Sequence, residues 1–524
     1  MYATLGKIFD QTVSMYPNKE ALVDMRREKR WTYSQWSDEV HRLANALITA
    51  GVCKGDRVSS FLFNNSELPT VLFACAKIGA VFNPINFRLK PEELAYILND
   101  ATPEVVLFEE ALKETVGKVV EQFPSIQFWF IDEGVPEYAV SYQEQVTAAI
   151  STDPLVEVDE TDIYAIMYTS GTTGRPKGVI HSHRNMAEQS MMCIAMLKYT
   201  KNDVGMVIAP MFHCAELHCC IIPRVQAGAS SIIMHQFDPQ VAVDTVEKEK
   251  VTVMFAVPTM WSMMTEITGA NSKVKTLQRG LYGAAPMAPV LVRQVKEVLG
   301  VELIQAYGQT EMGPAITFLA EDEQLTKAGS AGKPAFNHEI RIVRPQDHGP
   351  SEPDDQVEPF EVGEIIVRGP SMMLGYFHRP QATARVMYKG WYHTSDLGYV
   401  DEEGYLYVAD RVDDMIISGG ENIYPREVED ALHGHELVQD VAVLGIPDEK
   451  WGESVMAFIV VKNDLLTEEQ LEEYCLNNEN LARFKRPRTY RFVDELPRNA
   501  SGKIQKFLLR ELYADKKLKE HDKK

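Results

Sequence analysis

Segments with strand character alternate with segments of helical periodicity through the N-terminal half of this chain of 524 residues. Residues 58–63 and 251–256 are apolar runs with the length and residue types of buried strands. Residues 34–50 and 67–78 have helical patterns, and the second pattern ends at Gly79. Such alternation is typical of α/β layers with parallel strand pairing. The sequence therefore predicts a large N-terminal domain of layered α/β sheets.

The pattern changes to short β-like runs between residues 335 and 410. The runs at 339–343, 363–368 and 405–408 predict an antiparallel or β-barrel-like section. A charged, turn-prone segment at 410–414 comes next, and the strands and helices that follow it suffice for a small α+β domain. We therefore expect a domain boundary near residue 410.

The charge of the chain limits the partners that it can bind. Lysine and arginine together number 53 against 75 acidic residues, which gives a net charge of −22. Binding to nucleic acid requires a basic face that neutralises phosphates, so this balance argues against DNA or RNA as the main partner. It also argues against a constitutive contact with an anionic membrane. Any polyanionic ligand must be held by positive groups placed locally.

The sequence contains seven cysteines, an odd number without the spacing of a disulfide framework. The reducing cytosol is the simpler compartment for such a chain. The first ten residues lack the apolar core of a signal peptide, and the longest uncharged apolar stretch, 251–264, is too short to span a bilayer. We expect a soluble, cytoplasmic protein without stable membrane insertion. A homodimer is one alternative for an oligomeric state that the sequence does not fix.

A segment rich in glycine, serine and threonine, residues 168–178, follows the strand-like run 162–169. Its backbone N–H groups and hydroxyls suit phosphate oxygens. The spacing differs from that of a Walker A loop, which opens a helix. Pro176 and Gly178 also oppose immediate propagation of a helix. From composition alone, a flexible surface turn fits equally well.

Further clusters follow in a fixed order, and each carries groups that suit a nucleotide. Residues 283–286 form a small-residue turn that would let a flat ring approach the backbone. Residues 307–311 provide an aromatic face, a hydroxyl and a carboxylate, and residues 392–396 end in an acid. Closely spaced glycines occur at 418–425. Far downstream, Lys503 supplies a compact positive charge for an anion that forms during a reaction.

The order and wording of these motifs resemble the adenylate-forming superfamily of acyl- and aryl-CoA synthetases, luciferases and nonribosomal adenylation domains. The resemblance covers nearly the whole chain. It implies two half-reactions, in which a carboxylate attacks the α-phosphate of ATP to give acyl-AMP and pyrophosphate, and a thiol then displaces AMP. It implies ATP, Mg²⁺ and coenzyme A as ligands. The domains would be an AMP-binding domain over 1–410, a hinge at 411–414 and a mobile C-terminal domain over 415–524.

The resemblance also implies roles for single residues around the phosphates and the adenine. The loop that handles the β- and γ-phosphates would contain Thr169, Ser170, Gly171, Thr172, Thr173, Gly174 and Lys177. The adenine would lie beside Ala284, Ala285, Pro286, Tyr307 and Gly308. Thr310 would contact the α-phosphate, while Glu311 and Thr169 would hold Mg²⁺, an ion that prefers oxygen ligands.

The remaining implied roles concern the ribose, the hinge and the reacting groups. Asp396, with Arg411 nearby, would accept from the ribose hydroxyls, and Asp413 would be the hinge residue. Lys503 would bridge the substrate carboxylate and the α-phosphate as negative charge develops. After rotation of the small domain, the thiol arm of coenzyme A would pass Gly419 and Gly420, where no side chain blocks it. Trp451 would stack on the adenine of coenzyme A, with packing inside the small domain as an equal alternative.

His213 occupies the place where the family has a gate beside the acyl carboxylate, although a lone histidine is more often structural. A zinc site is a second interpretation of His213, Cys214, His218, Cys219 and Cys220. Their spacing lacks the paired cysteines of such sites, so buried soft side chains are the better explanation.

The acyl pocket is predicted from three apolar regions, residues 206–220, 254–264 and 281–305. They favour an apolar acid, and we expect a medium- or long-chain fatty acid, with an aryl acid as the second alternative. Three rival functions share the nucleotide motifs: an adenylation enzyme that loads a carrier protein, a luciferase-like oxidase and a catalytically silent nucleotide-binding protein. The glycine pair and Trp451 favour the CoA ligase.

Overall fold

The computed structural model describes residues 4–169, 176–285, 287–346, 349–411, 414–418, 421–448, 451–462, 466–478, 481–498, 504–506 and 508–513. The chain divides into two compact units. The first contains Met1–Ile340 and Val367–Tyr392, and the second contains Arg341–Ile366 and His393–Lys524. The predicted boundary near residue 410 and the hinge at 411–414 stay predictions.

The helices lie mainly in the first unit. They are α1 (Leu5–Met15), α2 (Tyr33–Thr49), α3 (Glu67–Ile78), α4 (Pro91–Ala101), α5 (Lys113–Gly117), α6 (Tyr142–Ala148), α7 (His183–Leu197), α8 (Cys214–Glu216), α9 (Ile222–Ala227), α10 (Pro239–Glu249), α11 (Pro258–Thr265), α12 (Ala270–Lys273), α13 (Pro289–Gln294), α14 (Pro380–Val386), α15 (Pro425–His433) and α16 (Glu468–Asn477). Short 3₁₀ turns occur at Glu110–Leu112, Val120–Gln122, Thr310–Met312 and Arg483–Lys485, and π-helical turns at Leu217–Ile221 and Val295–Leu299.

The strands confirm the predicted mixed α/β class. They are β1 (Glu20–Asp24), β2 (Lys29–Thr32), β3 (Arg57–Phe61), β4 (Val81–Ile85), β5 (Val105–Phe108), β6 (Gln127–Phe130), β7 (Val140–Ser141), β8 (Ile163–Thr169), β9 (Lys177–Ser182), β10 (Val204–Val207), β11 (Ser230–Ile233), β12 (Val253–Phe255), β13 (Arg279–Gly283), β14 (Glu302–Gly308), β15 (Ala315–Leu319), β16 (Lys333–Pro334), β17 (Glu339–Val343), β18 (Gly363–Arg368), β19 (Gly375–Tyr376), β20 (Met387–Tyr388), β21 (Trp391–Val400), β22 (Leu406–Arg411), β23 (Ile416–Ser418), β24 (Glu421–Ile423), β25 (Val438–Asp448), β26 (Gly452–Val461) and β27 (Thr489–Phe492).

Two large sheets form the first unit. A nine-stranded sheet has the order β16-β15-β14-β13-β12-β10-β11-β1-β2, and an eight-stranded sheet has the order β19-β9-β8-β4-β3-β5-β6-β7. In the first sheet β10 pairs in parallel with both β11 and β12, and in the second β3 pairs in parallel with both β4 and β5. The strand order therefore reverses at β10 and at β3. Ligands of such sheets bind outside the carboxyl ends of the strands at these reversal points.

Helix α3 shows how the sequence builds the core of this unit. All of its residues are buried, so its mixed apolar pattern lacks the single polar face of a surface helix. Its Phe73 stacks on Phe9 of α1 and meets Trp36 of α2 edge-on, with ring centroids 4.6 Å and 5.4 Å apart. The helix ends at Gly79, whose φ of 69° lies in the left-handed region that glycine adopts without steric cost.

The hairpin of β8 and β9 frames the predicted phosphate loop. The two strands are antiparallel, with Ile166 opposite Ile180 and Thr169 opposite Lys177. Both strands are largely buried, and β4 and β19 flank them in the sheet. The loop that joins them therefore starts and ends on a rigid, well-packed pair of strands.

The second unit has its own sheet and core. Strands β24, β23, β26 and β25 follow one another in order, and β27 pairs in parallel with β26. Helices α15 and α16 cover one face, where Val428, Leu432 and Leu471 pack against the strands. The predicted small α+β domain is thus a compact α+β arrangement. Among the helices that the structure describes, none has the length and apolarity that crossing a membrane requires.

Candidate active site

The predicted motif at 307–311 forms a tight connection between β14 and β15. The two strands are antiparallel neighbours, and the 3₁₀ turn Thr310–Met312 joins them. A Cβ atom added at Gly308 would lie 1.8 Å from the carbonyl oxygen of Pro314, so only glycine fits there. We call residues 310–313 the acidic turn. It presents a hydroxyl, Thr310, and a carboxylate, Glu311, next to each other.

The Glu311 carboxylate is buried and receives a hydrogen bond from the Tyr376 hydroxyl, which lies 2.8 Å from Oε1. Within the described parts of the chain, no lysine or arginine forms an ion pair with Glu311. A buried carboxylate needs a compensating charge, and carboxylate oxygens are the ligands that Mg²⁺ prefers. The residues present therefore fit a site for a divalent cation.

Lys177 lies close to this carboxylate by way of Tyr376. Its Nζ atom lies over the Tyr376 ring, 4.5 Å from the centroid. Thr169, the other predicted metal ligand, is the register partner of Lys177 at the open end of the hairpin. Ser170, Gly171, Thr172, Thr173 and Gly174, which complete the predicted phosphate loop, lie outside the described residues. Tyr376 thus connects the end of the hairpin of β8 and β9, which we call the phosphate hairpin after its predicted role, with the acidic turn.

The Thr310 side chain is oriented by a buried cysteine. Its Oγ1 atom lies 3.2 Å from the Cys214 sulfur, with either atom able to donate. Burial raises the pKa of the Cys214 thiol to about 12, and its hydrogen bond with Thr310 opposes this rise. The thiol therefore keeps its proton at neutral pH, and the pair adds no charge beside the acidic turn.

His213 follows β10, the strand at which the order of the larger sheet reverses. Its ring packs against Phe212, with centroids 5.3 Å apart, and Phe212 meets Phe87 edge-on at 5.3 Å. Burial, together with a smaller effect of the positive charge of Arg88, lowers the pKa of His213 to about 4. The imidazole is thus neutral at pH 7, which suits a surface beside an apolar acyl chain. Its role as a gate stays a prediction.

The predicted adenine turn follows β13. Ala284 is exposed and has a φ of 64°, a left-handed conformation that is unusual for alanine. Ala285 and Tyr307 are half-buried and Gly308 is exposed, so their surfaces are accessible to a ligand. Pro286 lies outside the described residues. The sequence predicts a flat-ring site here, and the backbone conformation is compatible with it.

The predicted residues of the second unit are described only in part. Asp396 is buried in β21, and its backbone N–H donates to Thr394 Oγ1 at 3.0 Å. Arg411 of β22 is its register partner, although the structure describes only the backbone of that residue. Trp451 is 41% exposed, so its ring is available to a ligand. Asp413, Gly419, Gly420 and Lys503 lie outside the described residues.

The zinc interpretation of the histidines and cysteines in 213–220 is not supported. His218 uses both ring nitrogens, toward the Gly313 carbonyl at 3.0 Å and the Tyr164 hydroxyl at 2.8 Å. Among the described residues, a group of three side chains with metal-binding spacing occurs elsewhere, at Asp10, His41 and Asp153. There the Lys77 ammonium already binds both carboxylates, at 2.7 Å and 2.5 Å. Buried soft side chains remain the explanation for the cysteines.

Several residues of this site carry no sequence motif that we recognised. Tyr376 and Ser371 lie on the strand β19 and the segment before it, more than fifty residues after the acidic turn that they contact. Asp100 receives hydrogen bonds from Tyr168 at 2.8 Å and from Arg379 at 2.6 Å. The pairing of β19 with β9, which brings these residues together, is a long-range contact that local patterns do not predict.

Comparison with known proteins places this geometry in a family. The family model described as AMP-binding enzyme matches residues 9–377, and that of the AMP-binding enzyme C-terminal domain matches residues 427–503. A long-chain-fatty-acid–CoA ligase of Mycobacterium tuberculosis is 34% identical over 514 residues, covering 97% of this chain and 98% of that protein. A feruloyl-CoA synthase of Amycolatopsis sp is 37% identical over 476 residues, covering 91% and 92%.

A solved structure that is similar to this chain contains ATP and magnesium ion. The chain is similar to the o-succinylbenzoate–CoA synthetase of Bacillus subtilis in complex with ATP and magnesium ion, with a TM-score of 0.83 and 32% sequence identity. The match covers 95% of this chain and 98% of that one. The fold is therefore shared along nearly the full length of both proteins.

Proposed function

This chain belongs to the AMP-binding enzyme family as an AMP-forming acid–CoA ligase, and we propose that it acts on a medium- or long-chain fatty acid with the site residues described above. The observation that carries the proposal is the pairing of Thr310 with Glu311 in the acidic turn. Tyr376 connects this turn with Lys177 at the end of the phosphate hairpin. ATP, the acid and coenzyme A are the substrates of the family reaction.

The reaction joins two anions, so the site must first reduce their repulsion. In the first half, a carboxylate oxygen bonds to the α-phosphorus, and the bond from that phosphorus to pyrophosphate breaks. Pyrophosphate leaves with the electron pair. In the second half, the sulfur of coenzyme A, after losing its proton, bonds to the acyl carbon, and the carbon–oxygen bond to AMP breaks. AMP leaves with that electron pair.

The site residues that the structure describes each have a proposed role in the first half-reaction. Glu311 and Thr169 hold Mg²⁺, which when bound neutralises phosphate charge and makes the α-phosphorus more electrophilic. The Thr310 hydroxyl donates to an α-phosphate oxygen. Lys177 supplies positive charge at the phosphates, and neutral His213 lies beside the acyl carboxylate. The buried Glu311 side chain supports this assignment, because it lacks an ion-pair partner in the described parts of the chain.

Apolar packing supports the proposed fatty acid. Residues from all three predicted pocket regions belong to one apolar cluster, which includes Cys219, Phe255, Leu281 and Ile304. The relatives named above include ligases of both a fatty acid and an aryl acid. An aryl acid is therefore the second candidate.

The test is a panel of carboxylic acids, from acetate to palmitate and from benzoate to ferulate, assayed for exchange of labelled pyrophosphate into ATP. Exchange that increases with aliphatic chain length and then yields AMP when coenzyme A is added is the expected result. Exchange only with aryl acids would replace the fatty acid by the second candidate. If no acid supports exchange in the presence of Mg²⁺, the proposed reaction is wrong.

Lys503, at the C-terminal end of the chain, is proposed to neutralise both reacting anions. Lys503→Ala should lower acid-dependent adenylate formation by about 100- to 1,000-fold, the usual cost of removing one electrostatic group. Formation of the thioester from supplied acyl-AMP should survive, because the lysine acts only in the first half-reaction. Equal loss in both halves would contradict this role.

We also propose that the protein works in the cytosol. None of the seven cysteines forms a disulfide, and six of them are buried as free thiols, which agrees with a reducing compartment. Localisation of a tagged full-length chain tests this proposal, and light scattering of the purified protein decides whether it is a homodimer.

A further inference from the structure

The acidic turn is held in place through its backbone carbonyls. Four successive carbonyl oxygens, those of residues 310–313, each accept a hydrogen bond from a distant part of the chain. The donors are His181 Nε2 at 2.7 Å, the Met373 N–H at 2.7 Å, Ser371 Oγ at 2.7 Å and His218 Nδ1 at 3.0 Å, in that order. A short 3₁₀ turn leaves its last carbonyls without partners of its own. The position of the acidic turn is therefore fixed by hydrogen bonds from other parts of the chain.

The hydrogen bonds of His218 define its tautomer. The carbonyl of Gly313 can only accept, so Nδ1 carries the proton that it donates. Burial lowers the pKa of His218 to about 3, so the ring is neutral and Nε2 accepts from the Tyr164 hydroxyl at 2.8 Å. Both side chains are fully enclosed by protein. A relay from Tyr164 through His218 thus ends on the acidic turn.

His181 has the opposite tautomer. Its Nε2 atom must carry the proton, because it lies 2.7 Å from the carbonyl oxygen of Thr310. Burial also lowers the pKa of this histidine, to about 4. The two imidazole rings are perpendicular, with centroids 6.0 Å apart. A neutral donor satisfies a buried carbonyl without placing a charge in the protein interior, where an unpaired charge is costly.

The two histidines come from the elements that carry the reacting groups. His181 lies on β9 and Tyr164 on β8, the two strands that the phosphate loop connects. His218 lies in the π-helical turn that follows His213 and Cys214. Turns of this kind are frequent at functional sites. Through these contacts the acidic turn is tied both to the phosphate hairpin and to the segment that contains the predicted acyl gate.

We propose that His181 and His218 are positioning residues, which hold the acidic turn at a fixed place relative to the phosphate hairpin. The Thr310 hydroxyl and the Glu311 carboxylate are thereby aligned with the nucleotide phosphates. This inference rests on the proposed function, because it assigns the turn to ATP. A displacement of about 1 Å at such groups can lower the rate by about 100-fold.

Amide side chains test the two hydrogen bonds separately. A glutamine nitrogen reproduces the place of Nε2 and an asparagine nitrogen that of Nδ1. His181→Gln and His218→Asn should therefore keep the KM for ATP within about threefold of the wild-type value. His181→Asn and His218→Gln put the donor at the wrong ring position, and we expect a KM for ATP about 10- to 100-fold higher. The KM for the acid should change less.

His183 provides the matched control. It is equally buried and packs against the Tyr164 ring, with centroids 5.9 Å apart. Its Nδ1 accepts from the Leu5 N–H at 3.3 Å, and within the described residues it donates no hydrogen bond to the acidic turn. His183→Gln should lower the melting temperature about as much as the four other variants while the KM for ATP stays unchanged. A role in stability alone predicts instead that KM is unaffected in all five proteins.

Binding of AMP, measured by calorimetry without any acid, separates this inference from the proposed function. If the wild type binds AMP but exchanges no pyrophosphate, the reaction is wrong while the variants still report on the turn. If both amides at a position give the same AMP affinity and the same KM for ATP, the positioning role is overturned. Weaker AMP binding confined to the two mismatched amides supports it.

Discussion

Two short segments of this molecule each present a carboxylate, and they are held in different ways. The acidic turn, with Glu311, receives hydrogen bonds on its carbonyls from residues more than fifty positions away in sequence. The segment around Asp396 lies inside a strand, where its N–H donates to the Thr394 side chain two residues earlier and β21 pairs with both β22 and β18. The first carboxylate thus depends on long-range contacts, and the second depends on strand register.

This difference has a consequence for how mutations act. A distant residue can displace Glu311 without touching it, since each donor is the partner of a single carbonyl. Asp396 is fixed by several neighbouring backbone bonds of β21, so the loss of one contact leaves the others in place. Experiments that remove matched contacts in the two segments can therefore test whether the two carboxylates differ in this way.

The largest effect is expected from the Glu311 carboxylate itself. Glu311→Gln keeps the shape and removes the charge, so pyrophosphate exchange should fall by about 100- to 1,000-fold. Increasing the Mg²⁺ concentration should restore part of the rate. Tyr376→Phe is the control, because it removes the hydrogen bond at Oε1 and keeps the carboxylate charge, and it should cost less than about 10-fold. A Glu311→Gln enzyme with near-normal exchange would show that the turn does not hold the metal.

The second prediction concerns how the unfolding free energy of the wild type and of a His218 variant changes when the pH is lowered. The pKa of His218 is lowered by burial to about 3, against about 6.5 in an unfolded chain. Below pH 6.5 the unfolded state therefore binds a proton that the folded state does not, and stability falls as the pH falls. His218→Gln removes this proton, so the wild type should lose about 2 kcal/mol more unfolding free energy than the variant between pH 7 and pH 5.

Urea unfolding at a series of pH values measures this difference. Burial raises the pKa of Glu67 and of Glu216 to about 7, which acts in the opposite direction. Both groups are present in the wild type and the variant, so their contributions cancel. Thr394→Val, in the second unit, is the control, and its pH profile should run parallel to that of the wild type. Parallel profiles for His218→Gln would mean that this histidine is not kept neutral by burial.

A matched pair of hydroxyl deletions compares the two segments directly. Ser371 donates to the carbonyl of Met312, and Thr394 donates to that of Ile365, both at 2.7 Å. Ser371→Ala and Thr394→Val should each lower the unfolding free energy by about 1–2 kcal/mol. Only Ser371→Ala should raise the KM for ATP, by about 10-fold. A similar rise in Thr394→Val would show that Asp396 depends on the hydrogen bond between Thr394 and Ile365 as strongly as Glu311 depends on its own distant donors.

The smallest effect concerns Ser395, which precedes Asp396. Ser395 is exposed and has a φ of 59°, a conformation that costs about 1 kcal/mol for residues with a Cβ. Ser395→Gly should therefore raise the unfolding free energy by about 0.5–1 kcal/mol, while the KM for ATP stays the same. A lower melting temperature would indicate that the serine side chain contributes to the local structure of this segment.

Much of the local structure could be predicted from the sequence. The helix at 67–78 and the strands at 339–343 and 363–368 have the predicted bounds. These elements are specified by their own residues, because glycine ends a helix and apolar alternation marks a strand. The short strand β19 was not predicted, since two residues carry no periodic pattern.

The order of the nucleotide motifs along the chain also identified the family and its reaction. For each motif, the local residues are sufficient: Gly308 is required by the close approach of Pro314, whatever the rest of the molecule does. Local sequence was thus enough for the reaction class, and it located the glycine-rich loop after a strand and the neighbouring hydroxyl and carboxylate of residues 310 and 311.

The residues that hold the acidic turn in place are set by contacts between distant parts of the chain. Four distant residues contact the turn: His181 on β9, His218 in the π-helical turn, Ser371 before β19 and Tyr376 on β19. They meet the turn only because the folded chain packs these elements around it. Hydrogen bonds act over about 3 Å in space regardless of separation in sequence. Local sequence patterns do not predict such contacts, so the residues that position the site could be identified only from the folded structure.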